Sequence, residues 1–243
     1  MEKLYRKSEV WFAVAWIIAY CVLLSVADEL SRLMGVEKAV TLPVCILLSG
    51  SLLLFIRKHG LWKKYGLCRP SVPAKKLLLY LPLVVIVSVN LWFGVGQNLS
   101  AAETVLYILS MCFVGFLEEI IFRGLLFQAM RKDSEKAAVM VSSVTFGIGH
   151  IINLINGSGA DLLSNLLQVC YAISIGFLFV MIFCKTGSLV GCIVTHSAVN
   201  ALSAFSNEAA MTPGRQIFTA AVLTVIPLVY CLYLHKKVKT NAV

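Results

Sequence analysis

Apolar residues in this chain fall in long continuous runs separated by short polar breaks, with little of the alternation that marks barrel strands. Eight runs stand out, at residues 10–27, 39–56, 77–96, 104–130, 137–155, 162–184, 187–205 and 216–235. The breaks hold Asp28 and Glu29, Gly60, Pro70 and Pro73, Asn98, Lys132 and Asp133, Gly157 to Gly159, Gly187, and Pro213 with Gly214, which are turn and helix-end residues. A membrane-crossing helix needs about 20 residues, so eight crossings take up nearly the whole 243-residue chain. The pattern predicts an all-α polytopic membrane bundle of about eight transmembrane helices, forming one integral-membrane domain. Within it, residues 1–100 carry no chemical motif, 101–205 hold the candidate chemistry, and 206–243 form a last helix and a basic tail. No internal repeat appears, which weighs against an inverted-repeat transporter.

Composition agrees with a bilayer environment. Hydrophobic residues make up 59% of the chain and charged ones 14%, against about 25% charged in soluble domains. That excludes both a water-soluble globule and a disordered chain. Of 21 basic residues, seventeen lie in the two termini and in alternate breaks: Lys3, Arg6 and Lys7, seven from Arg57 to Lys76, Arg131, Lys132 and Lys136, Lys185, and Lys236, Lys237 and Lys239. The opposite breaks hold Arg32, Lys38 and Arg215. The positive-inside rule then predicts that both termini are cytoplasmic. The +9 net charge reads as topology signal and contact with anionic lipid rather than a nucleic-acid surface. The eight cysteines are scattered singly and read as reduced packing residues.

Three charged residues interrupt the spans: Glu118, Glu119 and Arg123. Each costs about 2.5–3.5 kcal/mol at mid-membrane on insertion scales, so the cluster is either a structural staple between helices or a functional site. On an α-helix Glu119 and Arg123 share a face and can pair, whereas Glu118 is turned about 100° away. One carboxylate is then neutralised and its neighbour is free for chemistry. Two histidines, His150 and His196, also lie inside spans, while His59 and His235 fall in a basic segment and at a membrane edge. At about 1.5 Å per residue, Glu118 and His150 are each about 20 Å from the cytoplasmic ends of their helices, His196 about 13 Å and Asn200 about 20 Å. Three helices thus bring polar residues to similar depths. Phe146 lies one turn before His150, Gly147 and Gly149 permit close helix approach, and His196 and Asn200 lie four apart on one face.

Glu118-Glu119-Ile-Ile-Phe-Arg123, Phe146-x-x-x-His150 and His196-x-x-x-Asn200 resemble the three signature motifs of the CAAX-protease and bacteriocin-processing (CPBP, or Abi) intramembrane proteases, in order and without departure at the motif positions. The resemblance spans about residues 113–204. It implies an eight-helix bundle with a conical cavity open to the cytoplasm, in which Glu118 and His150 activate a water while His196 and Asn200 form the oxyanion hole.

The residues themselves fit amide hydrolysis, which needs a base, an acid for the leaving amine and donors for the oxyanion. Zinc held by Glu118, His150 and His196 is the mechanistic alternative. A metal-free site is preferred, because no His-Glu-x-x-His occurs and a zinc site leaves Asn200 without a task. Asp28, Asp133 and Asp161 fall at span ends, which argues against an aspartyl protease, and Ser142, Ser143 and Ser197 read as packing serines. The expected partner is a membrane-bound protein or peptide: a CAAX-type substrate, a pheromone, a bacteriocin or a leader peptide. A non-catalytic scaffold or immunity protein, and more remotely a proton-coupled transporter, stand as other readings. Oligomeric state is not legible.

Overall fold

The computed structural model describes residues 2–72, 79–154, 156 and 161–237; the start of the third apolar run, the Gly157–Gly159 break and the tail beyond 237 lie outside these. All regular elements among the described residues are helical, apart from an isolated bridge between Val95 and Ser206. A short helix α1 (Glu2–Lys7) leads into α2 (Glu9–Leu33), α3 (Thr41–Lys58), α4 (Leu81–Leu91), α5 (Ala101–Arg131), α6 (Glu135–Leu154), α7 (Leu162–Thr186), α8 (Val190–Phe205) and α9 (Pro213–Lys237). Six of these are long and apolar enough to cross a membrane. The third and seventh apolar runs give only the shorter helices α4 and α8, so the expectation of eight full-length spans is corrected to six long helices and two short ones. Both runs are cut by turns within them: α4 gives way to a turn before the positive-φ Gly94, and α8 starts only after the tight turn that closes on Ser188.

Helix starts follow from local chemistry. Ser8 accepts from the Trp11 N–H, Ser134 from Ala137, Asp161 from Ser164, and Ser100 with Glu103 forms a reciprocal capping box. Each satisfies backbone donors that have no partner in the first turn.

Helix α5 is the hub, packing against α2, α3, α6 and α8, while α7 lies between α6 and α9. In a membrane such contacts depend on close van der Waals fit rather than on expelling water. The tightest is at Gly115, where an added Cβ would fall 2.6 Å from the Ser197 backbone nitrogen. Glycine therefore lets α5 and α8 touch one residue away from His196. Gly147 does the same toward Ile173 on α7, but Gly149 faces open space; only the first of that glycine pair serves close approach.

The bundle has two distinct ends. At the terminal end, Lys58 pairs with Glu2 and both Lys64 and Lys132 pair with Glu9. The chain around Gly66 to Ser71 is tied to the α7–α8 turn through Leu189 N–H to Gly66 O, Ser188 Oγ to Cys68 O, and Ser71 N–H to Thr186 O. At the far end, Lys38 and Thr41 meet Asp28, the Glu37 N–H reaches Glu103, and Asn98 donates to Ser206 O.

Candidate active site

Helix α5 changes pitch where its charges begin. From Glu119 to Phe127 the backbone is a π-helix, an uncommon geometry found often at functional sites. It lies entirely in buried surroundings, and Glu119 and Arg123 are 0% exposed. The expected pairing holds: Arg123 Nη1 donates to Glu119 Oε1 at 3.1 Å. The guanidinium carbon sits 4.0 Å from the Phe146 ring centroid and 5.7 Å from that of Phe179. These faces compensate a cation whose Nε and Nη2 make no hydrogen bond among the described residues.

His196 bridges the two carboxylates. Its Nδ1 is 2.8 Å from Glu119 Oε1, and its Nε2 is 3.3 Å from Glu118 Oε2. Because Glu119 is paired with Arg123 and can only accept, Nδ1 is the donor across the shorter contact. Nε2 is then the nitrogen left for other chemistry. Phe146 stands edge-on to both histidines, at 5.7 Å from His196 and 5.3 Å from His150. Asn165 ties α7 to the last turn of α6 by donating to the His150 carbonyl at 2.8 Å.

Glu118, His150, His196 and Asn200 line one cavity of about 450 Å³, within the usual range for ligand sites. Two expected pairings are indirect. No hydrogen bond joins Glu118 to His150, or His196 to Asn200, among the described residues, although all four line the cavity. The direct partner of Glu118 is instead Tyr20, whose hydroxyl donates to Oε1 at 2.7 Å. Sequence reasoning gave α2 no part in the site. The available signal was a tyrosine in mid-span on the same stripe as the buried Phe12, Trp16 and Leu24, since a buried phenol needs a partner.

Phe122, Phe146 and Phe179 line the cavity nearest the terminal end, and its lining continues toward the far end past Asn90, Tyr107 and Gln168 to Asp28, Lys38 and Asn156. Burial opposes the charge on Lys38, but the Asp28 carboxylate 2.8 Å away outweighs it and holds the lysine pKa above its usual value. The cavity lining thus runs toward the end of the bundle opposite the start of α2 and the end of α9.

The packing serines are engaged with backbone, Ser142 donating to Phe122 O and Ser197 to Cys112 O. Among the described residues no three His, Cys, Asp or Glu side chains are placed to hold a metal ion, and both ring nitrogens of His196 already face carboxylates. The zinc alternative on Glu118, His150 and His196 accordingly supplies no step below.

No curated protein matches this chain. Residues 100–202 match the family described as Rce1-like, type II CAAX prenyl endopeptidase Rce1-like. That stretch, less than half of the chain, contains all three motifs, the π-helical segment and the Gly115 contact with α8, and the family it matches is one of the CPBP intramembrane proteases.

Proposed function

We propose that the protein is an intramembrane endopeptidase whose Glu118 and His150 activate a water without a metal ion. The observation that carries this reading is the unequal treatment of adjacent carboxylates. Glu119 is closed off by Arg123 and His196, while Glu118 is held by Tyr20 through one oxygen and keeps the other beside the cavity.

The substrate lies in the cavity with its scissile carbonyl between Glu118 and Asn200. Glu118 takes a proton from a water that His150 helps to orient, and the water oxygen bonds to the carbonyl carbon. His196, anchored through Nδ1 on Glu119, turns its Nε2 edge toward the resulting oxyanion, and the Asn200 amide supplies a donor to it. Collapse breaks the C–N bond, and Glu118 returns its proton to the departing amine. The products are a carboxylic acid and an amine, which separate as carboxylate and ammonium once the remaining water proton passes to the amine, and the base is restored. Tyr20 keeps Glu118 oriented throughout.

The test is cleavage of a panel of lipid-anchored, internally quenched peptides by purified protein. Glu118→Gln and His150→Ala should each lower the rate by about 10²–10⁴. His196→Ala and Asn200→Ala should each lose about 10²–10³, with the bundle still folded. Stoichiometric zinc in active protein, with activity lost on its removal and restored by adding it back, would reject the metal-free step and leave the protease assignment in place. Full activity of Glu118→Gln would reject the enzyme reading.

A further inference from the structure

We infer that the site is loaded from the non-cytoplasmic face of the membrane, so that its substrates are exported or outward-facing peptide segments rather than the lipid-modified C-termini of cytoplasmic proteins. The inference rests on the protease reading above and adds the side from which substrate arrives.

Two independent features of the chain meet in it. The first is the direction of the cavity. On α2 it is lined by Tyr20, Leu24 and Asp28, and on α6 by Phe146, His150 and Asn153. Both helices run from the terminal end to the far end, so each series moves away from the termini. On α7, which runs the other way, the lining stops at Phe179. Beyond the aromatic floor the terminal half is closed by Ile120, Ile121, Leu125, Leu126, Phe127, Tyr65 and Phe183, all buried. Among the described residues this packed layer separates the cavity from the terminal end.

The second feature is charge. Among the described residues fourteen basic ones belong to the terminal end and three, Arg32, Lys38 and Arg215, to the far end. Acidic residues show the reverse bias. Glu2, Glu9, Asp133 and Glu135 are terminal, whereas Asp28, Glu29, Glu37, Glu103, Asp161 and Glu208 are at the far end. The lysine and arginine bias orients a polytopic protein with its basic loops in the cytoplasm, which puts the mouth outside. The far-end basic residues are also engaged: Lys38 with Asp28, Arg32 with Glu29, and Arg215 with the Ala210 carbonyl. The far end as a whole thus carries a net excess of carboxylates.

Val36→Cys reports on the far end and Lys63→Cys on the terminal end; both positions are exposed and outside the site. In intact cells a membrane-impermeant maleimide should label Val36→Cys, and Lys63→Cys only after permeabilisation, with the wild-type chain and its eight cysteines as the blank. Right-side-out and inverted membrane vesicles are then given a quenched lipopeptide with charged ends, selected because detergent-solubilised protein cleaves it and Glu118→Gln does not. Right-side-out vesicles should cleave it at least tenfold faster. Faster cleavage by inverted vesicles, or labelling of Lys63→Cys in intact cells, would overturn the inference. Absence of any cleaved peptide in detergent would instead remove the protease reading and this substrate assignment with it, while the labelling would still establish which side the cavity faces.

Discussion

The two halves of the bundle treat polar atoms in opposite ways. In the terminal half, Arg123 is wholly enclosed, paired with Glu119 and pressed against Phe146. In the far half, polar groups line an open cavity, and Glu118, one residue from Glu119, keeps an oxygen beside it. The boundary is the point where α5 passes from α-helix to π-helix. The lesson is that an intramembrane charge is either neutralised by packing or left usable by a cavity, and that adjacent residues on one helix can be on different sides of that division.

Breaking the closed half should have the largest effect on stability. Arg123→Leu leaves Glu119 without its cation in a dry environment, and removal of one partner of a buried pair costs about 3–5 kcal/mol. Purified protein should show a markedly lower unfolding midpoint in detergent and a lower yield. An unchanged midpoint with turnover alone lost would assign Arg123 to substrate contact instead.

Disturbing the seam between the halves should strike activity. Gly115→Val places methyl groups where the Ser197 backbone already lies, moving α8 and His196 away from the carboxylates. Displacement of a reacting group by about 1 Å can cost about 10²-fold, so peptide cleavage should fall by at least that factor. Wild-type kinetics in this variant would show that α8 position is not critical.

Tyr20→Phe tests the hydrogen bond that anchors the open-half carboxylate. A hydrogen bond to a charged group contributes about 1.5–3 kcal/mol, so kcat should fall about tenfold to a hundredfold while KM holds. A rise in KM with kcat intact would make Tyr20 a substrate-binding residue rather than a positioning one.

The smallest effect separates two glycines on α6. Gly149→Ala meets nothing within 4 Å and should change stability by no more than about 0.5 kcal/mol. Gly147→Ala, where a Cβ would lie 2.7 Å from the Ile173 nitrogen, should cost about 1–3 kcal/mol by overpacking. Equal unfolding midpoints for the two variants would contradict the packing described for α6 and α7.

The sequence by itself determined that the chain lies in a membrane, that it is helical, and that Glu119 and Arg123 pair. Each follows from local rules: long apolar runs, a low charge fraction, and four-residue spacing on a helix. It also supplied four of the residues that line the cavity, Glu118, His150, His196 and Asn200, because an ionisable or amide group in a span stands out against its neighbours. Tertiary structure decided what local spacing does not encode. Tyr20 reaches Glu118 across 98 positions in the chain, a contact made only when α2 packs on α5. The bridging of both carboxylates by His196 depends on the Gly115 contact with α8. The direction of the cavity emerges only when all the helices are assembled, because it is set by which half of each helix packs densely and which half stands apart.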